Sequence, residues 1–222
     1  MRAAELRCYD RTDRAAHGYH QIPPTIRTAM TTATFDQVFL AARTFNKFKP
    51  DPVSDETLHQ LHDLMKWGPT SMNCQPGRYV FLRSDAAKQR LKPALSAGNA
   101  EKTMVAPVVV IVAMDSQFYE HLTTQFPAMP TASAMFSGSA PLAEATAFRN
   151  SSLQGAYLIL AARMLGLDCG PMSGFNPKAV DAEFFPDGRF KSNFLINLGH
   201  GDASGNYPRG PRLPFDTVAQ IL

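Results

Sequence analysis

The segment order predicts an α+β fold, an α/β mixed sheet flanked by helices, and three observations carry that prediction. A capped amphipathic helix follows Ser54. Val105 to Met114 is a continuous apolar run of strand length, and a long helical stretch from Pro141 to Leu167 precedes a second core strand, Asn193 to Leu198. Helical and strand periods alternate along the chain with no internal repeat and no interdomain linker.

The 222 residues suffice for one domain with a sizeable core. Residues 1–29 differ in character. They carry Arg2, Arg7, Arg11, Arg14 and Arg27 among Glu5, Asp10 and Asp13, lack apolar periodicity and contain Pro23-Pro24. They are expected to form a disordered extension, with Met30 a candidate start of the single 30–222 domain.

Thr34 to Arg43 is expected to be the first helix. Ser54 is a good N-cap, Val53 can staple to Leu58 across it, and Leu58, Leu61, Leu64 and Met65 recur at helical spacing until Gly68-Pro69. Tyr79 to Leu82 reads as a short strand. Asp85 to Leu95 reads as a helix disturbed by Pro93. Val105 to Met114 is the clearest buried strand, because apolar residues run without alternation. Residues 116–140, rich in Phe, Pro, Ser and Thr, are expected to be an insertion or lid. Asn176-Pro177 opens another short helix with Pro at the first helical position. From Arg209 the chain is expected to run out in loop and extended backbone.

Composition excludes several classes of function. A net charge of +3 without a basic, aromatic-interleaved run gives no footprint for nucleic acid. The longest apolar stretch is half of what a bilayer requires and contains Pro107, so no membrane role is expected. Cys8, Cys74 and Cys169 form no CxxC pair, and no signal-peptide h-region occurs, so reduced thiols in a cytoplasm are the expectation.

Several segments carry candidate chemistry. Pro69-Thr70-Ser71-Met72-Asn73-Cys74-Gln75-Pro76 is a polar turn whose backbone and amide side chains can meet a flat, hydrogen-bonding ligand, or can simply connect a helix to a strand. Gly170-Pro171-Met172-Ser173-Gly174 lets backbone approach such a ligand, or makes a tight turn. Arg43, Arg209 and Arg212 are bidentate donors suited to phosphate. Gly199-His200-Gly201-Asp202-Ala203-Ser204-Gly205 imitates a dinucleotide fingerprint, but too little chain follows it for a βαβ unit. His59 and His62 lack a third ligand near in sequence, so no metal is expected. Cys74 has no assigned basic partner and is read as a small loop residue. These readings reach an α/β protein with a phosphate-bearing cofactor, and stop short of a reaction.

Taken in order from about Thr34 onward, the segments resemble the nitroreductase family of FMN proteins. Ala42-Arg43-Thr44-Phe45-Asn46-Lys47-Phe48 resembles its N-terminal R-R-S-x-R-x-F, and residues 69–76 its P-S-S-x-N-x-Q-P. Gly166-Leu167-Asp168 with Gly170-Pro171-Met172-Ser173-Gly174-Phe175 resembles its G-L-x…P-x-E-G-F. Asn197 to Gly201, then Arg209 through Arg212-Leu213-Pro214, resembles its strand-then-K-x-R-L-P ending.

The resemblance implies a nitroreductase-like FMN-binding fold in an intertwined homodimer, with both subunits contributing to each site. It implies FMN as cofactor and NADH or NADPH as hydride donor in a ping-pong exchange with a small-molecule acceptor. Arg43, Thr44, Asn46, Arg209 and Arg212 would serve the phosphate and ribityl end. Pro69, Thr70, Ser71 and Asn73 would contact the ring, and Asn150 its pyrimidine edge. Pro171, Met172, Ser173 and Gly174 would line it, with the amides of Ser173 and Gly174 near N5 and O4. Hydride is carried by flavin N5, and no catalytic side chain is named. The chain departs from the pattern at Ala42, Asn46, Ser173 and Gly210, which leaves NADH against NADPH undecided.

Leu64 to Ser71, Thr146 to Ser152 and Gly166 to Phe175 further resemble the Rut-type malonic semialdehyde reductases, also called 3-hydroxypropionate dehydrogenases. That similarity implies reduction of malonic semialdehyde to 3-hydroxypropionate in pyrimidine degradation. A broad nitro or quinone reductase is the alternative on the same scaffold. Phe126 and Phe136 are candidate lid residues, and Arg149 a candidate partner for a substrate carboxylate.

Overall fold

The computed structural model describes residues 35–222. Residues 35–222 belong to one compact unit. The expected disordered extension, and Cys8 within it, lie outside the described residues, as does Thr34.

The central sheet has four strands in the order β1-β2-β4-β3: β1 is Gly77–Leu82, β2 Val108–Asp115, β3 Asp168–Met172 and β4 Phe190–Gly199. All three neighbouring pairs are antiparallel, so the strands do not form the mixed sheet that the sequence suggested. A parallel contact exists only as an isolated bridge among the described residues, from Thr44 to Cys169 at the β3 edge.

β2 explains its own sequence. Val108, Val110 and Val112 pack on one face with Leu158, Ala162, Ile196 and Leu198. Val109, Ile111 and Ala113 pack on the other with Met172, Val180, Phe185 and Leu195. With both faces covered, a strand has no polar side to show. The strand begins at Val108 rather than Val105. Residues Ala97–Val105 instead form a helix that the sequence reading missed.

Helix α1 (Asp55–Met65) starts as its sequence demands: Ser54 Oγ accepts from the Thr57 amide at 3.0 Å. Buried Val53 and half-buried Leu58 share one apolar cluster, as the staple requires. After β1 come α2 (Asp85–Leu91), a 3₁₀ turn at Lys92–Ala94 and α3 (Ala97–Val105). Pro93 sits in the 3₁₀ turn, where its missing N–H does no harm.

The segment 116–140 is not a loose lid. It contains a 3₁₀ turn at Phe118–His121, α4 (Leu122–Gln125) and α5 (Ala132–Ser137). Phe118, Leu122, Ala132 and Phe136 bury one another with Cys74, Ala143 and Ala147. The Phe118 and Phe136 rings meet edge to face at 5.0 Å. Phe136 is therefore core, and half-buried Phe126 packs against it. The apolar spacing 118/122 and 132/136 carries this packing, interrupted by Pro127 and Pro130. Asp115 ties the segment to the sheet: fully buried, it pairs with Arg78 at 2.6 Å and Arg189 at 3.0 Å, and accepts from the Gln117 amide.

α6 (Ala140–Met164) lies against β1, β2, β3 and β4. Gly155 lets it approach the sheet, since a Cβ there would fall 2.4 Å from the Phe194 ring. The helix ends with Gly166 at φ 78°, the Leu167 amide donating to the Ala162 carbonyl and the Gly166 amide to that of Arg163. This is the Schellman pattern, for which glycine is suited. α7 (Pro177–Phe184) is capped by Asn176, whose side chain accepts from the Ala179 amide.

Two termini of the described unit correct the sequence reading. The expected helix 34–43 is a five-residue π turn, Asp36–Leu40, with no buried residue. By Thr44 the chain must already be extended to bridge Cys169, which stops a helix there. The tail beyond Arg209 contains one short helix, α8 (Phe215–Val218). Among the described residues no helix is long and apolar enough to cross a membrane.

Candidate functional site

The sequence-predicted residues fall into two groups at opposite edges of the sheet. Arg43, Thr44, Asn46, Pro171, Met172, Ser173, Gly174, Arg209 and Arg212 gather at the β3 edge. Pro69, Thr70, Ser71, Asn73 and Asn150 gather where the chain enters β1. With β2 and β4 between, the edge strands are three spacings apart, about 14 Å in the pairing direction. Among the described residues no hydrogen bond joins the two groups.

At the β3 edge, the segment 44–46 runs beside the strand. The Phe45 amide donates to the Cys169 carbonyl at 3.0 Å. This closeness depends on Gly170, where a Cβ would stand 2.5 Å from the Phe45 carbonyl oxygen. The C-terminal segment crosses back over it. Arg209 donates to the Leu40 carbonyl at 2.7 Å and that of Ala42 at 2.8 Å, while Arg43 donates to the Tyr207 carbonyl.

Between them lies a cavity of about 460 Å³ lined by Arg43, Thr44, Asn46, Arg163, Arg209 and Arg212, together with Phe39, Ala42, Tyr207, Pro208 and Gly210. Among the described residues no carboxylate lines it. Each guanidinium has five donors and spends only some of them on the protein, so the cavity suits a phosphate. Arg163 was not singled out from sequence. It stands in the last turn of a long helix, and nothing local marks it.

The 171–174 turn is held from α3. The Gly174 carbonyl accepts from the Ser96 amide at 3.1 Å and from Asn99 Nδ2 at 2.9 Å. The backbone amides of Ser173 and Gly174 have no acceptor among the described residues. Lys102, one turn beyond Asn99, donates to Asn46 Oδ1 at 3.2 Å, with no carboxylate within ion-pair distance among the described residues. Asn99 and Lys102 thus add an amide and a cation to this edge. Their i, i+3 spacing was the available signal, but it has meaning only once 97–105 is known to be a helix.

At the other edge, the 69–76 loop uses its own amides. Asn73 and Cys74 N–H groups donate to the Thr70 and Ser71 carbonyls, and the Gln75 amide to Thr70 Oγ1. The Ser71 amide donates to Asn150 Oδ1 at 2.8 Å, and the Gly77 amide to Gln154 Oε1 at 2.8 Å. The run therefore does not offer these N–H groups outward, as the sequence reading assumed. Carbonyls and side chains remain. Asn150 is fully buried, and its Nδ2 donates to the Thr146 carbonyl.

The other candidates lie apart. Cys74 is buried, and burial pushes its thiol up to about 11, which leaves no thiolate for attack at neutral pH. Cys169, also buried, is pushed up to about 12. His59 and His62 stand exposed on α1, and no cluster of metal-ligating side chains exists among the described residues. Arg149 is exposed on α6. In the mock dinucleotide fingerprint, Gly201 donates to Asp168 and Asp202 pairs with Lys47 at 2.9 Å, so the glycines serve the β3 edge.

Comparison with known proteins identifies the family and the fold. A sequence profile described as the Nitroreductase family matches residues 40–200. A Burkholderia lata protein provisionally named NADH dehydrogenase/NAD(P)H nitroreductase is 58% identical over 194 residues, covering 87% of this chain and 99% of that protein. A Rhodopseudomonas palustris protein with the same provisional name is 55% identical over 187 residues, covering 84% and 95%. The crystal structure of a provisional nitroreductase from Exiguobacterium sibiricum, in complex with FMN, superposes with a TM-score of 0.77 at 21% identity, covering 85% of this chain and 97% of that one. At that identity the likeness speaks for the fold, which is nitroreductase-like. The profile match and the relatives above 50% identity settle the broader question: the chain belongs to the nitroreductase family.

Proposed function

We propose that the protein is an FMN-dependent NAD(P)H oxidoreductase working as a homodimer. The observation that carries this reading is the cavity lined by Arg43, Arg163, Arg209 and Arg212, with no carboxylate among the described residues around it, at the sheet edge whose strand β3 leads into the Ser173–Gly174 turn. A phosphate on one side and hydrogen-bond acceptors of a flat ring on the other match that donor set.

When bound, FMN supplies the hydride relay between NAD(P)H and the acceptor. The protein binds and orients. Arg43, Arg209 and Arg212, with Thr44 and Asn46, hold the phosphate and ribityl end. Pro171 and Met172 support the turn from which the Ser173 and Gly174 amides donate to ring acceptors. Lys102 brings positive charge to the same edge. Pro69, Thr70, Ser71, Asn73 and Asn150 stand too far across the sheet to share a ring with that group in one subunit, so they serve the site of a second copy. Exposed apolar side chains support such a pairing: Phe148, Leu153 and Tyr157 on α6, Phe35 and Phe39 before it, and Leu213 and Phe215 in the tail.

For the acceptor, the reading is malonic semialdehyde, reduced to 3-hydroxypropionate. It rests on the runs 64–71, 146–152 and 166–175 and their likeness to Rut-type reductases. Arg149 is the proposed partner of the substrate carboxylate. A broad nitro or quinone acceptor range is the second reading, favoured by the names of the relatives.

Purified protein should be yellow and dimeric, and anaerobic NADH or NADPH should bleach it. A colourless protein that stays colourless with added FMN defeats the proposal, and a yellow one that never bleaches marks a flavin-holding protein without turnover. Steady-state kinetics then separate the acceptors: a much higher kcat/KM for a nitroaromatic than for malonic semialdehyde would replace the first reading with the second.

A further inference from the structure

Three non-glycine residues within four positions adopt left-handed backbone: Met72 (φ 51°), Asn73 (φ 50°) and Gln75 (φ 40°). L side chains disfavour this region, and such strain persists only where surrounding structure over-determines it. Asn150 grips the front of the loop at Ser71, and Gln154 grips the far end at Gly77. Neither reaches the middle.

The middle is gripped from the 116–140 segment. Gln125 is the last residue of α4. Its Oε1 accepts from Gln75 Nε2 at 3.0 Å and from Asn73 Nδ2 at 3.4 Å, and its backbone carbonyl accepts from Asn73 Nδ2 at 3.1 Å. Gln75 Nε2 also donates to Asn73 Oδ1 at 2.9 Å, which closes the cluster. Two of the three left-handed residues are therefore tied to one glutamine 50 residues away. That glutamine is itself anchored, because Leu122 of the same short helix is buried with Phe118 and Phe136.

We propose that Gln125 is a positioning residue of the cofactor site: its side-chain oxygen holds Asn73 and Gln75 in left-handed backbone, so the shape of the 69–76 loop depends on the seating of the 116–140 segment. The link to the cofactor rests on the reading that this loop borders FMN. Gln125 acts only as an acceptor toward both partners. A carboxylate at this position keeps the side-chain tie, whereas a methyl or an isobutyl group frees Gln75 and leaves Asn73 only the backbone carbonyl of residue 125.

The test uses the full-length protein and the variants Gln125→Ala, Gln125→Leu and Gln125→Glu. In the FMN-loaded forms, the dissociation constant of FMN and the visible circular dichroism of the bound ring are measured. Loss of two acceptor contacts predicts FMN binding weakened about tenfold in the alanine and leucine variants, with a changed visible spectrum. Gln125→Glu should return both to wild-type values. A purely structural role would lower the melting temperature of all three without that recovery. Wild-type affinity and spectrum in Gln125→Ala, or a glutamate variant as impaired as the alanine one, overturns the proposal.

Hydrogen exchange of the peptide spanning residues 69–77 gives a readout without cofactor. It should quicken in Gln125→Ala and Gln125→Leu but not in Gln125→Glu, and unchanged exchange in the first two sinks the idea. A colourless wild type would instead count against FMN binding and leave this second readout to decide on Gln125. Should the alanine variant not fold, the leucine and glutamate variants carry the comparison.

Discussion

The Ser71 amide and the Asn150 carboxamide, 79 residues apart, are joined by a 2.8 Å hydrogen bond in the half-buried space between the entry loop of β1 and the long helix. A residue expected to touch a ligand is thus also the anchor of the loop that would surround it. Replacing Asn150 by alanine leaves the Ser71 amide without its partner and opens space in the helix face. We expect a destabilisation of about 1–3 kcal/mol, read by urea unfolding, and weaker FMN binding. A variant of wild-type stability would show that water replaces the bond without loss.

Arg43 and Arg212 face one cavity, and the phosphate reading makes them selective. Alanine at either position should weaken FMN binding about 10- to 100-fold, the worth of a charge-assisted hydrogen bond, while riboflavin binding stays nearly unchanged. Isothermal titration with both ligands checks this. Equal losses for the two ligands would move the phosphate elsewhere.

Gly170 allows the segment 44–46 to lie against β3. A Cβ there stands 2.5 Å from the Phe45 carbonyl oxygen, a backbone atom that cannot turn aside. Gly170→Ala should detach the Phe45–Cys169 bond, speed amide exchange at Phe45 and reduce FMN occupancy. Unchanged exchange there would mean that the strand edge yields more easily than its geometry implies.

Asp115 gives a pH dependence with a definite sign. Burial opposes its ionisation, but hydrogen bonds from Arg189 and the Gln117 amide, with the charge of Arg78, outweigh it and hold the carboxyl below its ordinary value of 3.8. A lowered folded-state value adds stability that is complete above about 4, and is lost as pH falls through the folded-state value. Asp115→Asn should lose about 3 kcal/mol at pH 7, since two guanidiniums stay behind without their carboxylate. Denaturant unfolding at pH 6 and pH 3 should show a smaller acid loss in the variant than in the wild type. Equal acid losses in both would assign the pH dependence to other groups.

Much of the fold was legible because its signals are local. Ser54 with Val53 and Leu58 marks a helix start through one side-chain oxygen and one apolar pair. Gly166 marks a helix end through a backbone angle that other residues resist. The run into Met114 has no polar side because two helical layers cover it. Where an element depends on a distant partner, its local pattern is silent. Residues 97–105 have weak periodicity and a glycine, so α3, with Asn99 and Lys102, stayed hidden. The 116–140 segment looked loose because Pro127 and Pro130 divide its aromatics, although those aromatics bury one another.

The candidate site divides along the same line. The sequence by itself determined the types of donor: arginines whose guanidinium groups suit a phosphate, a polar turn, a glycine-flanked strand end, and their order along the chain. Only tertiary structure decided which of them meet. The antiparallel order β1-β2-β4-β3 sends the two halves of the site to opposite edges. The closing segment brings Arg209 and Arg212 over Arg43, and Arg163 arrives from a helix with no local mark. Composition and spacing act over a few residues, whereas the meeting of side chains more than 100 positions apart follows from the packing of the whole chain.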